Sequence, residues 1–471
     1  MKTEKSFLLL FCKKEVFLAV FVAGCTVGPD YKRPGTPMAT HFKELAGWKQ
    51  AAPKDDEPKG DWWAVFNDPL LNKLEQQALT ANQTVLAQQA AYDQARALVA
   101  EARSALFPVL GAVTSPTRSA SPRSAASPRG NTSTSIPLEA TASWEIDVWG
   151  ALRRQVESSR ASAEASRATL ANARLSAGMA LATAYMELAV SDALQRVLDD
   201  TVRLDQHALD IAKNQYEAGF AAKSDVLTAQ TQVEAAQSAA ANVGVARGQY
   251  EHAIAVLAGM PPADLTISAR AAPPAVPDIP VSLPSTLLER RPDIAAAERT
   301  MASNNALIGV AVAAYYPAVS LSAAFGVQGN GMSPLLTAAN EIWSIGGSAT
   351  ETIFKGGEQQ AAVRAAKAVY LGSVATYRQT VLTALQQVED NLVALRLLAK
   401  QAVIQDAVVR DAGLAADITL NEYRAGTQAY TAVITAQDTL LSARQTALSI
   451  EQSRLTAAVA LIGALGGGWG R

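Results

Sequence analysis

Cysteine is nearly absent from this chain: it has two, Cys12 and Cys25, both close to the N-terminus. That excludes a disulfide framework or a cysteine-based metal centre in the body of the fold. Histidine is as scarce. His41, His207 and His252 stand apart, without the Glu-x-x-His or His-rich spacing a metal site needs. Aromatics are 6% of residues against 49% hydrophobic, a balance that suits long packed helices better than several globules. No run of about 18 apolar residues occurs in the body, so a membrane-spanning helix is not available there. Charge of one sign is missing too. The net charge is −2 and no basic run is dense enough for nucleic acid. There is no Gly-x-x-x-x-Gly-Lys phosphate loop, no Gly-x-Ser-x-Gly elbow and no recurrent carboxylate pair. The expectation is a protein that is not an enzyme and takes no cofactor or metal.

What is present begins with Met1–Gly24. Lys2, Lys5, Lys13 and Lys14 precede the apolar run Val16–Ala23, the pattern of a secretory signal too short to span a bilayer. It ends in Val22-Ala-Gly-Cys25, which resembles the bacterial lipobox. Cys25 is then the lipid attachment site, as an N-palmitoyl and S-diacylglycerol cysteine, and Thr26 after it favours outer-membrane sorting. An ordinary signal with an unrelated cysteine is the other reading. Residues 25–69 are rich in Pro, Lys and Asp and carry Trp48, Trp62 and Trp63. They are expected to lie extended on the surface of the main body.

Two short texts organise the rest: Tyr216-Glu-Ala-Gly219 and Tyr423-Arg-Ala-Gly426, 207 residues apart. Each interrupts an alanine-rich helical pattern, and each is followed by related text, Ser224–Gln230 and Ala432–Gln437. Glycine reverses a chain between helices because it reaches φ > 0 without a Cβ clash. The chain therefore reads as a duplication with one helical hairpin per half. The first half spans 70–259, a Pro-rich connector 260–284, the second half 285–465, and a short tail 466–471. In the return helix, Val226, Ala229, Val233, Ala236, Ala240, Val243, Arg247, Tyr250, Ile254 and Leu257 follow a heptad, and the same register recurs from Val433 to Ala464. For its polar interruptions, Arg247 and Arg454, a solvated or rim position is favoured over a binding role.

Each half also changes period. Even positions from Ile136 to Val148 are apolar or small, and the odd ones include Glu139, Thr141, Ser143, Glu145 and Asp147. This is strict alternation, longer than the ~5–6 residues of an ordinary strand and matching the ~9–11 of a tilted membrane strand. Val109–Thr114 reads as a second strand and Ser115–Thr134 as a solvated loop between them. In the second half Val319–Val327 alternates, and a further strand runs through Trp343 to Phe354. Helices are expected at about Leu70–Leu106, at Ala151–Glu217, from Leu287 to Tyr316, and at Glu358–Arg424. Four strands cannot close a barrel, and open edges cannot face lipid. Eight strands close around their own side chains while twelve leave a lumen, so three chains are the smallest assembly with a passage.

Four texts carry a resemblance: Ala23-Gly-Cys-Thr-Val-Gly-Pro-Asp-Tyr-Lys-Arg-Pro34, Trp144-Glu-Ile-Asp-Val-Trp-Gly150, Leu288–Glu298 and Ile353-Phe-Lys-Gly-Gly357. In this order, they resemble the outer-membrane efflux proteins of the TolC superfamily, in the NodT/OprM-like lipoprotein branch. The resemblance implies an α+β membrane protein. It would be a homotrimer in the outer membrane, with a twelve-stranded β-barrel of four strands per chain continuous with a long periplasmic α-helical barrel. It implies a passive exit duct for drugs or toxic compounds. The partners would be a periplasmic adaptor protein, an inner-membrane transporter of the RND type and outer-membrane lipid. A type I protein-secretion duct of the same fold and a non-pore lipid-anchored scaffold are the alternatives.

By that resemblance the periplasmic tip and gate comprise Tyr216, Gly219, Asp225, Tyr423, Gly426, Gln428 and Tyr430. Asp225 matches an aspartate that pairs with a tyrosine, here Tyr423, and with an arginine whose place is taken by Gln428. Ala432 and Thr435 stand where relatives carry lumen-facing aspartates, so the aspartate ring is not expected here. Asp225 has a second reading, as a helix N-cap. Glu139, Glu145, Asp147 and Glu351 are candidate lumen or rim carboxylates, with simple solvation of the wet strand face favoured.

Overall fold

A computed structural model describes residues 26–35, 60–122, 131–277, 291–331 and 336–467. The signal, Cys25 and Trp48 lie outside the described residues. In order come helices α1 (Pro69–Ala81) and α2 (Gln83–Ser104), strands β1 (Val109–Thr114), β2 (Thr117–Ser121) and β3 (Asn131–Ile146), and helices α3 (Ala151–Glu217) and α4 (Lys223–Leu257). The second half adds helix α5 (Pro292–Ala313), strands β4 (Ala318–Gly329) and β5 (Glu341–Thr350), and helices α6 (Glu358–Arg424) and α7 (Tyr430–Ala464). The duplication is visible in length: α3 and α6 each have 67 residues, α4 and α7 each 35. No described helix is long and apolar enough to cross a membrane.

The chain divides into two compact units. The first, Tyr92–Ser166 and Ala296–Tyr377 with the residues up to Gly35, holds the sheet. Its strand order is β1-β3-β4-β5, all antiparallel, with β2 pairing the outer part of β3. The register sorts the side chains by face, because directly opposite residues share one face. Leu110, Ala142, Ala323 and Ile345 form one cross-strand row, and Ala112, Ala140, Phe325 and Trp343 another. The opposite face carries rows such as Gly111, Thr141, Ala324 and Ser344. Phe325, Trp343 and Ile345 are exposed, an arrangement that fits lipid rather than water on the apolar side.

Three strand boundaries differ from expectation. The Ser- and Arg-rich stretch after Thr114 is not all loop, since Thr117–Ser121 pairs with Asn131–Ser135. Both faces of that hairpin end are polar, and Ser119 Oγ lies 2.9 Å from Ser133 Oγ, so no alternation betrayed it. At the other end β3 stops at Ile146, because Asp147 turns away to cap α3. Strand β5 stops at Thr350, opposite Ala318. The next ladder partner would be Pro317, which has no N–H and whose carbonyl accepts from Trp149 Nε1 at 2.9 Å.

Residues 26–35 are strapped onto this unit. Val27 N donates to Trp149 O at 3.1 Å, Asn305 Nδ2 donates to Pro29 O at 2.9 Å, and Tyr31 Oη donates to Glu298 Oε1 at 2.6 Å. Arg154 reaches Val27 O, Asp30 and Glu157. Gly28, at φ +94°, lies so close to Gly309 that no Cβ fits between them. Trp149 stacks on Tyr316 with ring centroids 4.7 Å apart.

The second unit, Arg167–Ala295, Arg378–Arg471 and the stretch up to Ala91, packs helix on helix. Trp62 and Trp63 do not lie on a surface. They form a 3-10 turn with Phe66 and are buried with Leu71, Leu74, Leu181, Tyr185, Ile254 and Leu455, because two indoles bury more apolar area than their polar neighbours can hold in water. Asp68 caps α1, accepting from Leu70 N at 3.0 Å and Leu71 N at 3.2 Å. The helix expected through Leu106 is broken at Asn82. Its Oδ1 accepts from Thr84 N and Val85 N while its Nδ2 donates to Leu257 O at 2.8 Å. A residue whose backbone N–H closes one helix on Ala78 O, and whose side chain starts the next and holds a carbonyl 175 residues away, outweighs continued helix.

The heptad seams of α4 and α7 face inward, with Ala229, Val233, Ile254, Val433, Leu440, Ile450 and Leu461 buried. Arg247 corrects the expectation of a solvated side chain. It donates to Asp192 at 2.7 Å, Glu251 at 2.8 Å and Ile267 O at 2.6 Å. In the second repeat Ala399 and Ala458 stand where Asp192 and Glu251 stand in the first, and Arg454 Nε is buried without a partner. Gly178, the one glycine in α3, is explained by Glu75: a Cβ there would come within 2.7 Å of Glu75 Oε2. That carboxyl is fully buried and neither oxygen has a partner.

Candidate functional site

The two helix turns are built alike. Gly219 and Gly426 take φ of +80° and +72°. Around them the same bonds recur: Gly219 N to Tyr216 O and Phe220 N to Gln215 O, then Gly426 N to Tyr423 O and Thr427 N to Glu422 O. These are helix C-cap motifs that satisfy the last carbonyls. Each return helix then begins after an alanine, Ala222 or Ala429. Asp225 is therefore not the N-cap. It lies in the first turn of α4, where its charge complements the helix dipole.

The two turns share backbone but not surroundings. Tyr216 is 46% exposed, whereas Tyr423 at the equivalent place is 4% exposed. Tyr423 packs with Ala208, Leu209, Ala212, Ala229, Val233, Tyr430 and Val433, a core drawn from all four long helices. Its ring centroid lies 5.2 Å from that of Tyr430. Burial first, and Asp225 second, raise the Tyr423 phenol above its ordinary pKa. Asp225 and Tyr423 are thus neighbours, but Tyr423 Oη is buried with no hydrogen-bond partner. Gln428 is exposed on its turn. The structure brings Asp225, Tyr423 and Tyr430 together and leaves Tyr216 and Gln428 outside the packed cluster.

Two residues escaped the sequence reading. Gln215 Nε2 donates to Tyr423 O at 3.3 Å, joining one hairpin to the other. Asp205 on α3 is 6% exposed and sits one turn before Ala208 and Leu209. Burial first, and Asp438 of α7 second, lift its carboxyl to about 6. Neither stands in the repeated text. A carboxylate on the i−3 and i−4 line of a buried helix stripe was the available signal.

The strand carboxylates separate into different roles. Asp147 belongs to no wet face: its oxygens accept from Leu152 N at 3.1 Å and from Arg153 N and Nε at 2.9 and 3.0 Å, so it caps α3. Glu139 lies on the polar face of β3 in register with Gly326. Glu145 lies on the same face opposite Ser320. Glu351 is exposed just past β5.

Comparison with known proteins agrees with this architecture. The family model described as outer membrane efflux protein matches residues 74–260 and again 283–467, one match per half. The chain is 29% identical over 455 residues to the probable efflux pump outer membrane protein TtgC of Pseudomonas putida, covering 96% of this chain and 94% of that one. It is 28% identical over 460 residues to outer membrane protein OprJ of Pseudomonas aeruginosa, covering 96% and 95%. The solved outer-membrane channel OprN has a TM-score of 0.86 at 29% identity over 94% of this chain and 100% of that chain. The open state of the MtrE outer membrane channel of Neisseria gonorrhoeae has a TM-score of 0.81 at 25% identity over 94% and 98%. With a TolC-like α+β fold, an apolar-faced sheet and a family match in each half, this chain belongs to the outer membrane efflux proteins, the exit ducts of tripartite efflux pumps.

Proposed function

We propose that three copies close one barrel, each giving four strand positions, and that the helical hairpins continue the duct into the periplasm. The observation that carries this is the sheet. It has one apolar and one mostly small or polar face, and β1 and β5 have free outer edges among the described residues. Free edges in lipid leave backbone groups unsatisfied, and joining edge to edge around a ring removes them. Lipid on Cys25 would tether each chain beside the strand ends, since Val27 is bonded to Trp149 at the end of β3. The duct itself does no chemistry. Cargo is passed by an inner-membrane transporter, of the RND type, through a periplasmic adaptor.

The cargo class we favour is small apolar organic compounds. Relatives of this length are a toluene efflux pump protein and an antibiotic efflux pump protein of Pseudomonas putida. The tip cluster of Asp225, Tyr423 and Tyr430, with the Gly219 and Gly426 turns, serves as the gate, and Tyr216 and the exposed Gln428 lie at its margin. Without an arginine at position 428, it opens more easily than a charge-assisted latch would. The test is accumulation of a fluorescent efflux dye and of toluene in a deletion strain, with and without the gene restored. Raised accumulation reversed by restoration supports the duct. Unchanged accumulation in a strain with no parallel duct would count against it.

A further inference from the structure

We propose that the end of α2, where it enters the sheet, is a binding site for an anionic glycerophospholipid. Arg103 and Arg96 hold the phosphate, and the acyl chains lie along Phe107 and Leu110. The site rests on the reading of the sheet as a barrel wall in the outer membrane and adds which lipid that wall holds.

Arg96, Ala100, Arg103 and Phe107 fall at helical spacing, so they share one stripe of α2 and the turn that ends it. With Val99 and Ser104 they line a cavity of about 540 Å³. Phe107 is 68% exposed and Leu110 79%. Trp144 fixes where this end of α2 sits. It stands on the apolar face of the sheet, in one row with Leu321 and Gly347, and its Nε1 donates to Leu106 O at 3.0 Å. The turn after α2 is thereby tied to the side of the sheet that fits lipid.

The second repeat shows what such a stripe holds. At the offset of 209 residues that relates Phe107-Pro108 to Tyr316-Pro317, Arg96, Ala100 and Arg103 become Asn305, Gly309 and Val312. There the chain's own strap covers the stripe: Asn305 Nδ2 donates to Pro29 O at 2.9 Å, and Gly309 lies against Gly28. On α2 the same positions are exposed, and two of them are arginines. Arg96 meets the exposed Asp93 at 3.8 Å. Arg103 has no hydrogen-bond or ion-pair partner among the described residues, and Glu101, two positions away, lies on the other side of the helix.

The order of groups along the axis selects the occupant. Toward the strands the stripe is aromatic and aliphatic, and one turn back it is cationic. This is the order of tail and phosphate in a glycerophospholipid of the periplasmic leaflet. A guanidinium grips a phosphate through two parallel hydrogen bonds. An apolar face of a second copy would instead bury Arg103 without a counter-charge.

The experiment adds dioleoylphosphatidylglycerol to the full-length trimer in a neutral detergent. Retained lipid is counted by native mass spectrometry, with thermal unfolding in parallel. Dioleoylglycerol, which has the tails without phosphate, and glycerol phosphate, which has the phosphate without tails, are the comparison arms. The expected result is retained phosphatidylglycerol and a raised melting temperature, with neither effect in the other arms. Arg103→Gln should weaken retention about tenfold or more, and Arg103→Lys should recover part of it. Arg118→Gln, in the polar hairpin at the other end of β3, should leave it unchanged. Undiminished retention in Arg103→Gln, equal retention of dioleoylglycerol, or stabilisation by glycerol phosphate alone overturns the site. So does a Ser104→Cys position that no label reaches in the trimer, because a second copy then covers the stripe. A conducting trimer that retains no phosphatidylglycerol refutes the lipid site alone, whereas a chain that gives no membrane-inserted trimer refutes the barrel reading beneath it.

Discussion

Tyr185 donates its hydroxyl to Asp68 Oδ2 at 2.9 Å across 117 positions of sequence, and Arg270 pairs with the same carboxylate. One side chain thus caps α1 and ties it to α3 and to the connector. Burial alone would raise the Asp68 carboxyl, but Arg270, the Leu71 amide and Tyr185 hold it below its ordinary value. Its contribution is present above about 4 and lost as pH falls through the depressed folded value. Asp68→Asn should cost about 3–5 kcal/mol at pH 7, and the cost should shrink as pH falls below about 4, checked by denaturation across that range.

Glu75 predicts the opposite slope. Burial alone raises it from 4.5 to about 9, so the folded protein holds the acid neutral while the unfolded chain ionises. Stability should fall as pH rises from about 4.5 to 9. Glu75→Gln keeps the shape and removes the titration. It should flatten that slope and be the more stable protein at pH 8, by a few kcal/mol at most. Thermal melts across pH decide it. A parallel slope in the variant refutes the assignment.

The tip core predicts a separation between ring and hydroxyl. Tyr423 Oη makes no hydrogen bond, so Tyr423→Phe should leave stability and gating within about 0.5 kcal/mol of wild type or improve them. Tyr423→Ala removes the ring that packs on Tyr430 and should cost about 3 kcal/mol. It should also raise single-channel conductance or open probability in bilayers.

The sheet predicts a face-dependent outcome. Phe325→Arg puts charge on the apolar face and should cost about 2–4 kcal/mol of barrel stability, read as loss of membrane-inserted trimer. Ser322→Arg, on the other face, should insert normally and alter conductance or ion selectivity. Equal defects in both would contradict the assignment of faces.

Much of this protein was legible in its residues because the signals are local and periodic. Alternation from Ile136 to Val148 declares a two-faced strand, which the structure ends at Ile146, the heptads declare a seam, and Gly219 and Gly426 mark the reversals, since each depends on spacing along one element. The duplication showed itself by repeated text. Tertiary structure alone decided what depends on partners far away in sequence. Asn82 breaks a helix because Leu257 O awaits its amide. Trp62 and Trp63 enter a core that α1, α3, α4 and α7 must first assemble. Asp147 becomes a cap because its chain turns there rather than continuing the ladder. The two tips read alike in sequence, yet only Tyr423 is buried. Burial is set by what packs against a side chain, which no repeat of local text can specify.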